Sequence, residues 1–417
     1  MNSSVFRNIY PYFLGRSPQE APVNVVIIGG GVIGLCTAYQ LAKSTKLQPD
    51  SQIKIVVLEA KTSPFQSTSS HCTGCLHYGY QEQFGDDLLP LGEYSFDIWQ
   101  SIAKDDAEFR SETGYRPSSF FWVEYGDGDN IDEVLPNWMK LGGHWKLDEG
   151  EHGDKCATIN PLGLGMWLEK ACNSLGVEIR TSTTATEARI SNDGVIQDVK
   201  CVVPHDDQEL RIPCDKLVLA AGPWTPQQLR TIFPDSTLDL RSATLAGDWL
   251  LLGNNIPLNQ KSIASVFLNN VVKEKLEFSG RNDGTIWVCG RTNSTAILPP
   301  LGEEALPDDQ LVADLLGYSR QFIRGFDDTG DHDGTLPIMA KGRSFRPMRQ
   351  SGLPLISAIP PKQISPSVVS STEKSGVFLC YGHGSYGISL GMGSGKLMAQ
   401  LIMGHDPDID ISKFTVH

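Results

Sequence analysis

Hydrophobic and polar positions follow a clear order near the start of the chain. An apolar run at 25–28 leads into three successive glycines at 29–31, and apolar residues then recur with helical spacing over 32–43. A second apolar run, 53–58, ends at Glu59. The pattern predicts a strand, a tight turn, a helix and a second strand.

Further along, three segments repeat the combination of apolar strand and glycine-rich turn. Residues 175–190 predict a short strand, a break and another strand, and residues 215–229 predict a strand that ends in Ala-Ala-Gly-Pro-Trp. Residues 376–402 predict a strand, a glycine-dense loop and a helix. Residues 236–292 alternate short apolar strands with turn signals, which is typical of a meander, and 311–323 have helical spacing.

Composition narrows the class of protein. The 417 residues are 40% hydrophobic and 20% charged, as in ordinary globular proteins, and suffice for two domains. The net charge of −14 disfavours a general nucleic-acid binder, because phosphate binding needs clustered Lys and Arg. No apolar run is long enough to predict a membrane span.

The cysteines and residues 1–22 give information about the cellular compartment of the protein. The nine cysteines are an odd number scattered along the chain, and Cys72 and Cys75 form a CxxC with no second pair to complete a zinc site. We therefore expect reduced thiols, no metal and a cytoplasmic protein. Residues 1–22 lack the features of a secretory signal and are expected to form an N-terminal arm, with organelle targeting left open.

The glycines at the first turn match a dinucleotide-binding motif. Gly29, Gly31 and Gly34 fit G-x-G-x-x-G between a strand and a helix, where they permit a tight turn, approach of a pyrophosphate and close packing of helix on strand. The N–H groups of Val32 and Ile33 would face the phosphates at the start of the helix. Glu59 would accept hydrogen bonds from the ribose hydroxyls, and its charge disfavours NADP. A turn that only packs is the alternative.

Later glycine-rich segments favour FAD over NAD. Gly222 allows a second close approach of backbone to ligand, and Ala185 is expected to meet the adenine through backbone groups. The loop that contains Gly384 and Gly387 can lay backbone N–H groups along the pyrimidine edge of an isoalloxazine, with a helix dipole behind them.

At this point the chain resembles a known family. Four blocks in order, Gly29–Gly34 with Glu59, 68–80, 215–224 and 345–360 with the following glycine-rich loop, are similar to the D-amino-acid oxidase, glycine oxidase and sarcosine oxidase (DAO) superfamily of FAD-dependent oxidoreductases. The resemblance spans roughly residues 23–405.

The resemblance implies an α/β fold with an α+β second part. A discontinuous, Rossmann-like FAD-binding domain would comprise 22–95, 155–232 and 340–405. A mainly antiparallel-sheet substrate domain would comprise 96–154 and 233–339, and 406–417 would form a C-terminal tail.

The resemblance also implies site residues. Arg346, in an Arg-Pro dipeptide, would anchor a substrate carboxylate, with Arg349 as a second candidate, and Arg suits that role because its guanidinium forms a bidentate fork. The alternative for Arg346 is a structural ion pair. The second block would lie beside the flavin, and the candidates there for contact or a covalent link are His71, Cys72, Cys75 and His77. From the same block and from the 215–224 block we also expect cofactor contacts from Ser70, Thr73 and Trp224.

For several other residues the sequence does not decide between a place in the active site and a place in the core. Tyr386 is expected to close over the substrate or to pack, beside His383 and Ser385. The residues that line the pocket or belong to the core are Tyr78, Tyr80 and Trp287.

These features predict an FAD-dependent oxidoreductase that oxidises the C–N bond of an amine or amino acid. A hydride would pass to flavin N5, and molecular oxygen would accept the electrons to give imine and hydrogen peroxide. Sarcosine-oxidase-like members carry a lysine near N5, and the strand that we match to it, 284–290, contains none. Ser344 is the nearest match to their flavin-bonding cysteine, so oxygen use and covalent attachment of the FAD stay open.

Two alternatives remain. The second block also resembles flavin-dependent L-2-hydroxyglutarate and glycerol-3-phosphate dehydrogenases, in which His77 would stand near a hydroxyl-bearing carbon as a base. A dinucleotide-binding regulator without catalysis is the second alternative, and the presence of Arg346 and of the whole flavin loop weighs against it.

Overall fold

The structure is a computed structural model, and it describes residues 22–46, 53–78, 81–148, 155–204, 206–240, 242–269, 275–326, 336–365 and 375–416. The predicted N-terminal arm, apart from Pro22, and the candidate pocket residue Tyr80 lie outside these ranges.

Nineteen strands and eight α-helices are found in the described residues. The strands are β1 (Val23–Ile28), β2 (Ile53–Leu58), β3 (Cys75–His77), β4 (Arg116–Pro117), β5 (Ser119–Tyr125), β6 (Trp145–Asp148), β7 (Cys156–Thr158), β8 (Glu178–Arg180), β9 (Thr184–Ile190), β10 (Ile196–Val203), β11 (Asp206–Pro213), β12 (Lys216–Leu219), β13 (Ser242–Gly253), β14 (Ala264–Asn269), β15 (Leu276–Gly280), β16 (Thr285–Asn293), β17 (Ile338–Arg349), β18 (Leu355–Ala358) and β19 (Gly376–Tyr381). The helices are α1 (Val32–Lys46), α2 (Gln81–Asp105), α3 (Ala107–Thr113), α4 (Pro161–Ser174), α5 (Thr225–Ile232), α6 (Asp309–Phe322), α7 (Pro361–Ile364) and α8 (Gly387–Met403).

A six-stranded sheet lies at the centre of the nucleotide-binding half, in the order β18-β19-β12-β1-β2-β8. All its pairs are parallel except β18 with β19. Alternate residues of β1 enter two different cores: Val25 and Ile27 pack with α1 and α8, whereas Val26 and Ile28 pack on the opposite face. Burial on both faces explains why β1 is a continuous apolar run rather than an alternating one.

The second large sheet has seven strands, in the order β17-β13-β16-β15-β14-β5-β6. Its pairs are antiparallel except β14 with β5, and β14, β15 and β16 follow one another as antiparallel neighbours, which confirms the predicted meander there. One face buries Leu250, Phe278 and Val288 in a core that includes Leu315 and Phe322 of α6. On the same strands Trp249, Trp287 and Cys289 form a separate small cluster.

Two smaller antiparallel sheets complete the fold. One has the order β11-β10-β9 and the other β3-β7-β4. None of the helices in the described part of the chain has the length and hydropathy to cross a membrane.

The sequence predictions for individual elements are confirmed. The predicted strand, helix and strand after residue 22 are β1, α1 and β2, the segment 175–190 gives β8 and β9, and 376–402 gives β19 and α8. The helical spacing at 311–323 corresponds to α6.

The division into two domains stays a proposal, with two boundaries moved. Residues 338–349 form β17, which pairs with β13 of the seven-stranded sheet, so we place the proposed boundary after Arg349 rather than at 340. Phe96 and Trp99 of α2 pack in the same core as α1 and α8, and Trp99 Nε1 donates to the carbonyl oxygen of Ile388 at 3.1 Å. Phe109 and Tyr115 belong to the same core, so the first proposed boundary moves from 95 to about Pro117.

Candidate active site

A large cavity lies where the carboxyl ends of β1, β2, β12 and β19 meet one face of the seven-stranded sheet. Its residues surround about 1530 Å³ of space, a volume that includes the solvent at its open mouth. The crevice at the carboxyl ends of parallel strands is where open α/β sheets bind ligands.

Most of the residues predicted from the sequence line this cavity. They are Gly29, Gly31, Val32, Ile33, Glu59, His71, Cys72, Thr73, Ala185, Gly222, Trp224, Arg346, Gly384 and Gly387. Six of the described residues that the sequence analysis considered for the site do not line it: Gly34, Ser70, His77, Tyr78, Arg349 and Tyr386.

The glycines of the first motif have two different roles: two of them permit close packing of the backbone, and one leaves space in the cavity. Gly29 has a φ of +108°, and a Cβ there would lie 2.4 Å from the carbonyl oxygen of Ala220 on the neighbouring strand's end. A Cβ on Gly34 would lie 1.9 Å from the carbonyl oxygen of Gly29, so Gly34 permits the packing of α1 on β1 and does not face the cavity. Gly31 presents bare backbone to the cavity, with Ser69 Oγ as the nearest atom to its missing Cβ at 3.1 Å.

The carboxylate of Glu59 is held beside the start of α1. Its Oε2 accepts from the Gly30 N–H and its Oε1 from the Lys61 N–H, both at 2.8 Å. Burial raises the pKa of Glu59, and the backbone hydrogen bonds from Lys61 and Gly30 act in the opposite direction. Each carboxylate oxygen has a further lone pair, so the fixed group can also accept from ribose hydroxyls at the cavity wall.

Ser70, which was predicted to contact the cofactor, does not line the cavity. Ser70 is buried, and its Oγ donates to the Ser67 carbonyl oxygen at 2.8 Å. Ser69 lines the cavity instead, and its Oγ accepts from the N–H of Val32 in the first turn of α1 at 3.0 Å. The sequence holds several adjacent hydroxyl residues, Ser67–Ser70, and no local signal separates them.

The residues predicted for the second half of the cofactor site come from three separate segments. Ala185 lies on β9, Gly222 follows β12 with a φ of +53°, and Gly384 has a φ of +56° just before α8. Trp224 is fixed because its Nε1 donates to the Pro299 carbonyl oxygen at 2.8 Å.

An aromatic stack forms the wall of the cavity on the seven-stranded sheet. The stack consists of His71, Trp249 and Trp287, with ring centroids 4.7 Å apart at each step. The Arg281 guanidinium lies 4.9 Å from the Trp287 ring and donates to the Cys72 carbonyl oxygen at 2.9 Å. Burial and the Lys61 charge lower the pKa of His71 to about 4, so its imidazole is neutral in the stack. Sequence reasoning considered Trp287 and missed Trp249, which comes from a distant strand.

Three arginines on β17 have three different environments. Arg343 pairs with the fully buried carboxylate of Asp248, with Nη2 and Oδ2 2.8 Å apart. Arg349 does not line the cavity and donates to the Leu353 carbonyl oxygen at 2.9 Å. Arg346 lines the cavity, and its guanidinium makes no hydrogen bond or ion pair with any residue that the structure describes. Arg346 is thus the arginine of β17 with donors available to a ligand.

A polar cluster that the sequence reasoning missed lies at the same wall. Glu277 Oε2 accepts from Thr73 Oγ1 at 2.7 Å and from Cys289 Sγ at 3.3 Å, and Oε1 pairs with Lys275 Nζ at 3.0 Å. Burial alone would raise the pKa of Glu277, but the charges of Lys275 and Arg346 and the Thr73 hydrogen bond outweigh it and lower the pKa to about 2. Glu277 is therefore an anion at every physiological pH.

His77 and Tyr386 lie next to one another outside the cavity lining. His77 is buried and stacks on Phe120 with centroids 4.8 Å apart, and the Tyr386 ring meets it edge-on at 6.2 Å. Burial lowers the pKa of His77 to about 3, which leaves the imidazole neutral. His383 and Ser385 do line the cavity, whereas Tyr78 does not.

The cysteines form no disulfide bond. All nine cysteines are free thiols. In the described ranges, no three His, Cys, Asp or Glu side chains are grouped in a way that would hold a metal ion.

The cavity's residues fit a flavin dinucleotide. Gly31, Gly222 and the loop before α8 present bare backbone, Glu59 provides a fixed acceptor, and three chain segments far apart in sequence converge on one elongated space. A sequence model of the family "DAO: FAD dependent oxidoreductase" matches residues 24–401.

The chain belongs to this family of FAD-dependent oxidoreductases. FAD is the cofactor of the family, and the residues on which the resemblance depends lie within the matched span.

Individual relatives cover nearly the whole chain. The glycine oxidase of Pseudomonas aeruginosa is 24% identical over 93% of this chain and 96% of its own length. Among solved structures, a glycine oxidase from Geobacillus kaustophilus has a TM-score of 0.70 at 17% identity and covers 94% of this chain and 98% of the other. An L-amino acid deaminase from Proteus myxofaciens, in complex with anthranilate, has a TM-score of 0.70 at 16% identity and covers 96% and 94%. These structures show the same fold.

Proposed function

We propose that this FAD-dependent oxidoreductase oxidises the C–N bond of an amino acid or a related carboxylated amine. The observation that carries the proposal is the Arg346 guanidinium, which faces the cavity without a hydrogen bond or ion pair from the described residues. An arginine with its donors directed into a cavity binds a carboxylate bidentately. The relatives named above, glycine oxidase and L-amino acid deaminase, act on such compounds and support the assignment.

FAD, when bound, supplies the acceptor for a hydride from the carbon next to nitrogen. The protein's task is to hold that carbon in place and to exclude water. Arg346 fixes one end of the substrate, and the aromatic stack of His71, Trp249 and Trp287 covers the space beside it with apolar surface. The pKa of His71 is lowered to about 4, so all three rings are uncharged at neutral pH.

The position of His77 argues against the 2-hydroxy-acid alternative. Oxidation of an alcohol needs a base beside the hydroxyl group. His77, the residue expected to supply it, stacks on Phe120 outside the cavity lining, and its pKa is lowered to about 3 by burial, which makes it a weak base. Amine oxidation has no such requirement once the amine is neutral, so the observed side chains suit an amine better.

We further propose that molecular oxygen accepts the electrons. Two electrons and two protons leave the substrate, which becomes an imine, and oxygen takes them up to form hydrogen peroxide. Water then hydrolyses the imine to a carbonyl compound and ammonia or an amine. The free thiols support a reducing compartment, and we propose the cytoplasm.

A substrate panel tests the proposal. The purified holoprotein is incubated in air with D- and L-amino acids, N-methyl amino acids, small amines and 2-hydroxy acids, with peroxide and the carbonyl product as readouts. We expect equal amounts of peroxide and carbonyl product from at least one carboxylated amine. Turnover of amines alone, with no preference for a carboxylate, would overturn the role of Arg346; turnover of hydroxy acids alone would overturn the C–N assignment. Carbonyl product without peroxide would show that a different acceptor takes the electrons.

A further inference from the structure

Glu277 is a buried carboxylate in the cavity wall, and the proposed function gives it no role. It is 8% exposed and lies on β15, on the same cavity wall as the Arg346 side chain. Its pKa of about 2 excludes a role as a base that takes a proton from the substrate at neutral pH. A permanent anion in a cavity instead attracts and holds a cation.

The neighbours of Glu277 fix its carboxylate in place. Thr73 and Cys289 both donate to Oε2, and both line the cavity beside it. Lys275 Nζ pairs with Oε1 at 3.0 Å, and Lys275 is not among the lining residues. The carboxylate is thus tethered at both oxygens while one of its faces borders the cavity, and each oxygen has a further lone pair for an N–H donor.

Arg346 and Glu277 border the cavity from the same wall. Trp249, Cys289 and Glu277 lie opposite one another on β13, β16 and β15. The Arg346 guanidinium lies against Gly247, two residues from Trp249 on β13. The charge of Arg346 lowers the pKa of Glu277, so the two groups interact electrostatically. A cationic and an anionic side chain thus border one space, as recognition of the two ends of a zwitterion requires.

We propose that Glu277 binds the cationic nitrogen of the incoming substrate, so that Arg346 and Glu277 together select zwitterions over simple carboxylates and 2-hydroxy acids. The bound ammonium group releases one proton to the solvent before the C–N bond is oxidised, because a hydride leaves only the neutral amine. This inference rests on the proposed function, in which Arg346 binds the carboxylate. Arg346 recognises any carboxylate, whereas Glu277 distinguishes an ammonium group from a hydroxyl or a hydrogen at the same carbon. Glu277 is therefore a specificity-determining residue.

Measurements of equilibrium binding test the role of Glu277 with compounds that the enzyme does not turn over. 2-Aminoisobutyrate, isobutyrate and 2-hydroxyisobutyrate have the same carbon skeleton. The amino and hydroxy compounds have no hydrogen on the carbon next to the carboxylate, and isobutyrate has no nitrogen or oxygen on that carbon, so none of them can be oxidised there to an imine or a carbonyl. α-Methylphenylalanine and 2-methyl-3-phenylpropanoate form a second matched pair for a larger site. Each is titrated into the holoprotein, and the change in the flavin's visible absorption gives its Kd.

We expect the amino compound of a set to bind about tenfold or more tightly than its matched carboxylate. Glu277→Gln, which keeps the shape and the acceptor for Thr73, is expected to reduce this ratio to about one and to leave the Kd of the plain carboxylate within about twofold. The double variant Glu277→Gln with Lys275→Met removes both partners of the ion pair and should lose the ratio in the same way. Glu209→Gln, at an exposed carboxylate of β11, is the matched control and should keep the ratio.

The outcomes distinguish the two proposals. A ratio that survives both Glu277 variants, or a wild-type ratio near one, would overturn the role of Glu277 and leave the carboxylate anchor standing. Plain carboxylates that bind equally well to Arg346→Ala, or no binding by any of the compounds, would overturn the anchor and with it both proposals.

Discussion

The guanidinium of Arg346 lies against Gly247 on the neighbouring strand, with Nη1 3.2 Å from the position that a Cβ at residue 247 would take. Because residue 247 has no side chain, the arginine can cross β13 towards the cavity. A glycine in the middle of a 12-residue strand weakens that strand's packing. Its presence here is explained by the space that the arginine needs.

Arg346→Ala tests the carboxylate anchor. We expect KM for a carboxylated amine to rise by about a hundredfold, because two charge-assisted hydrogen bonds are lost, while FAD stays bound. Steady-state kinetics and the flavin absorption of the purified variant measure both. Arg320→Ala, at an exposed position of α6, is the matched control and should leave KM unchanged. An unchanged KM in Arg346→Ala would remove the residue from the site.

Gly247→Val tests the same anchor without a loss of charge. A side chain at residue 247 would occupy the space beside the Arg346 guanidinium, so KM for a carboxylated amine should rise in this variant too.

Gly31→Val tests the placement of the cofactor. A side chain at residue 31 would project beside Ser69 Oγ into the cavity at the start of α1, where the pyrophosphate is expected. We expect the variant to fold, to purify colourless and to bind added FAD at least about a hundredfold more weakly, from the loss of several backbone hydrogen bonds. Gly143→Val, at an exposed glycine with open space around its missing Cβ, should purify with the wild-type colour. A yellow Gly31→Val protein would contradict the placement.

The cavity's thiols predict a non-covalent flavin. Burial raises the pKa of Cys72 to about 11, and the Cys156 hydrogen bond and burial raise that of Cys75. Since the thiolate is the nucleophile, neither cysteine is reactive at neutral pH. Of the two histidine candidates, His77 lies outside the cavity lining and the His71 ring is stacked on Trp249. We therefore expect acid precipitation to release all the flavin colour into the supernatant. Colour in the pellet would show a covalent bond, and mass spectrometry of flavin-bearing peptides would then identify the residue.

Stability should fall steeply on the acid side. Burial lowers the pKa of both His77 and His383 from 6.5 to about 3. Both are bases whose folded pKa is depressed, so the unfolded chain takes up protons that the folded protein does not. The free energy of unfolding is thus unaffected by these groups above pH 6.5 and falls by about 1.4 kcal/mol per pH unit per histidine as the pH drops from there towards about 3.

Urea denaturation of the holoprotein from about pH 7 to about pH 5 measures this slope. His77→Phe, which preserves an aromatic ring against Phe120, should reduce the slope by about 1.4 kcal/mol per pH unit. His405→Asn, at an exposed position, should leave it unchanged. Equal slopes in wild type and His77→Phe would show that the histidine titrates normally in the folded protein.

The sequence predicts the cofactor half better than the substrate half. The strand, glycine turn and helix around Gly29 are local, and a parallel buried strand such as β1 is visible as a continuous apolar run. Gly31, Glu59 and Gly222 each follow the end of a strand, so their meeting at one edge of the sheet follows from the fold class.

The substrate half depends on pairing between distant strands. Glu277 and Trp249 come from β15 and β13, and their place in the cavity is set by the register of Cys289 opposite both. Nothing near Glu277 in the sequence separates it from a surface residue of a strand. Ser70 and His77 were predicted from a loop whose hydroxyl and histidine side chains cannot be oriented without the three-stranded sheet in which β3 pairs with β7.

Anaerobic mixing of the holoprotein with matched amino and hydroxy acids tests the central claim most directly. An amino acid that the enzyme turns over and the hydroxy acid with the same carbon skeleton are each added in excess, and the flavin's visible absorption is followed. We expect the amino acid to bleach the yellow colour and the hydroxy acid to leave it unchanged. Bleaching by the hydroxy acid, or by neither compound across the whole panel of amines, would contradict the proposed function.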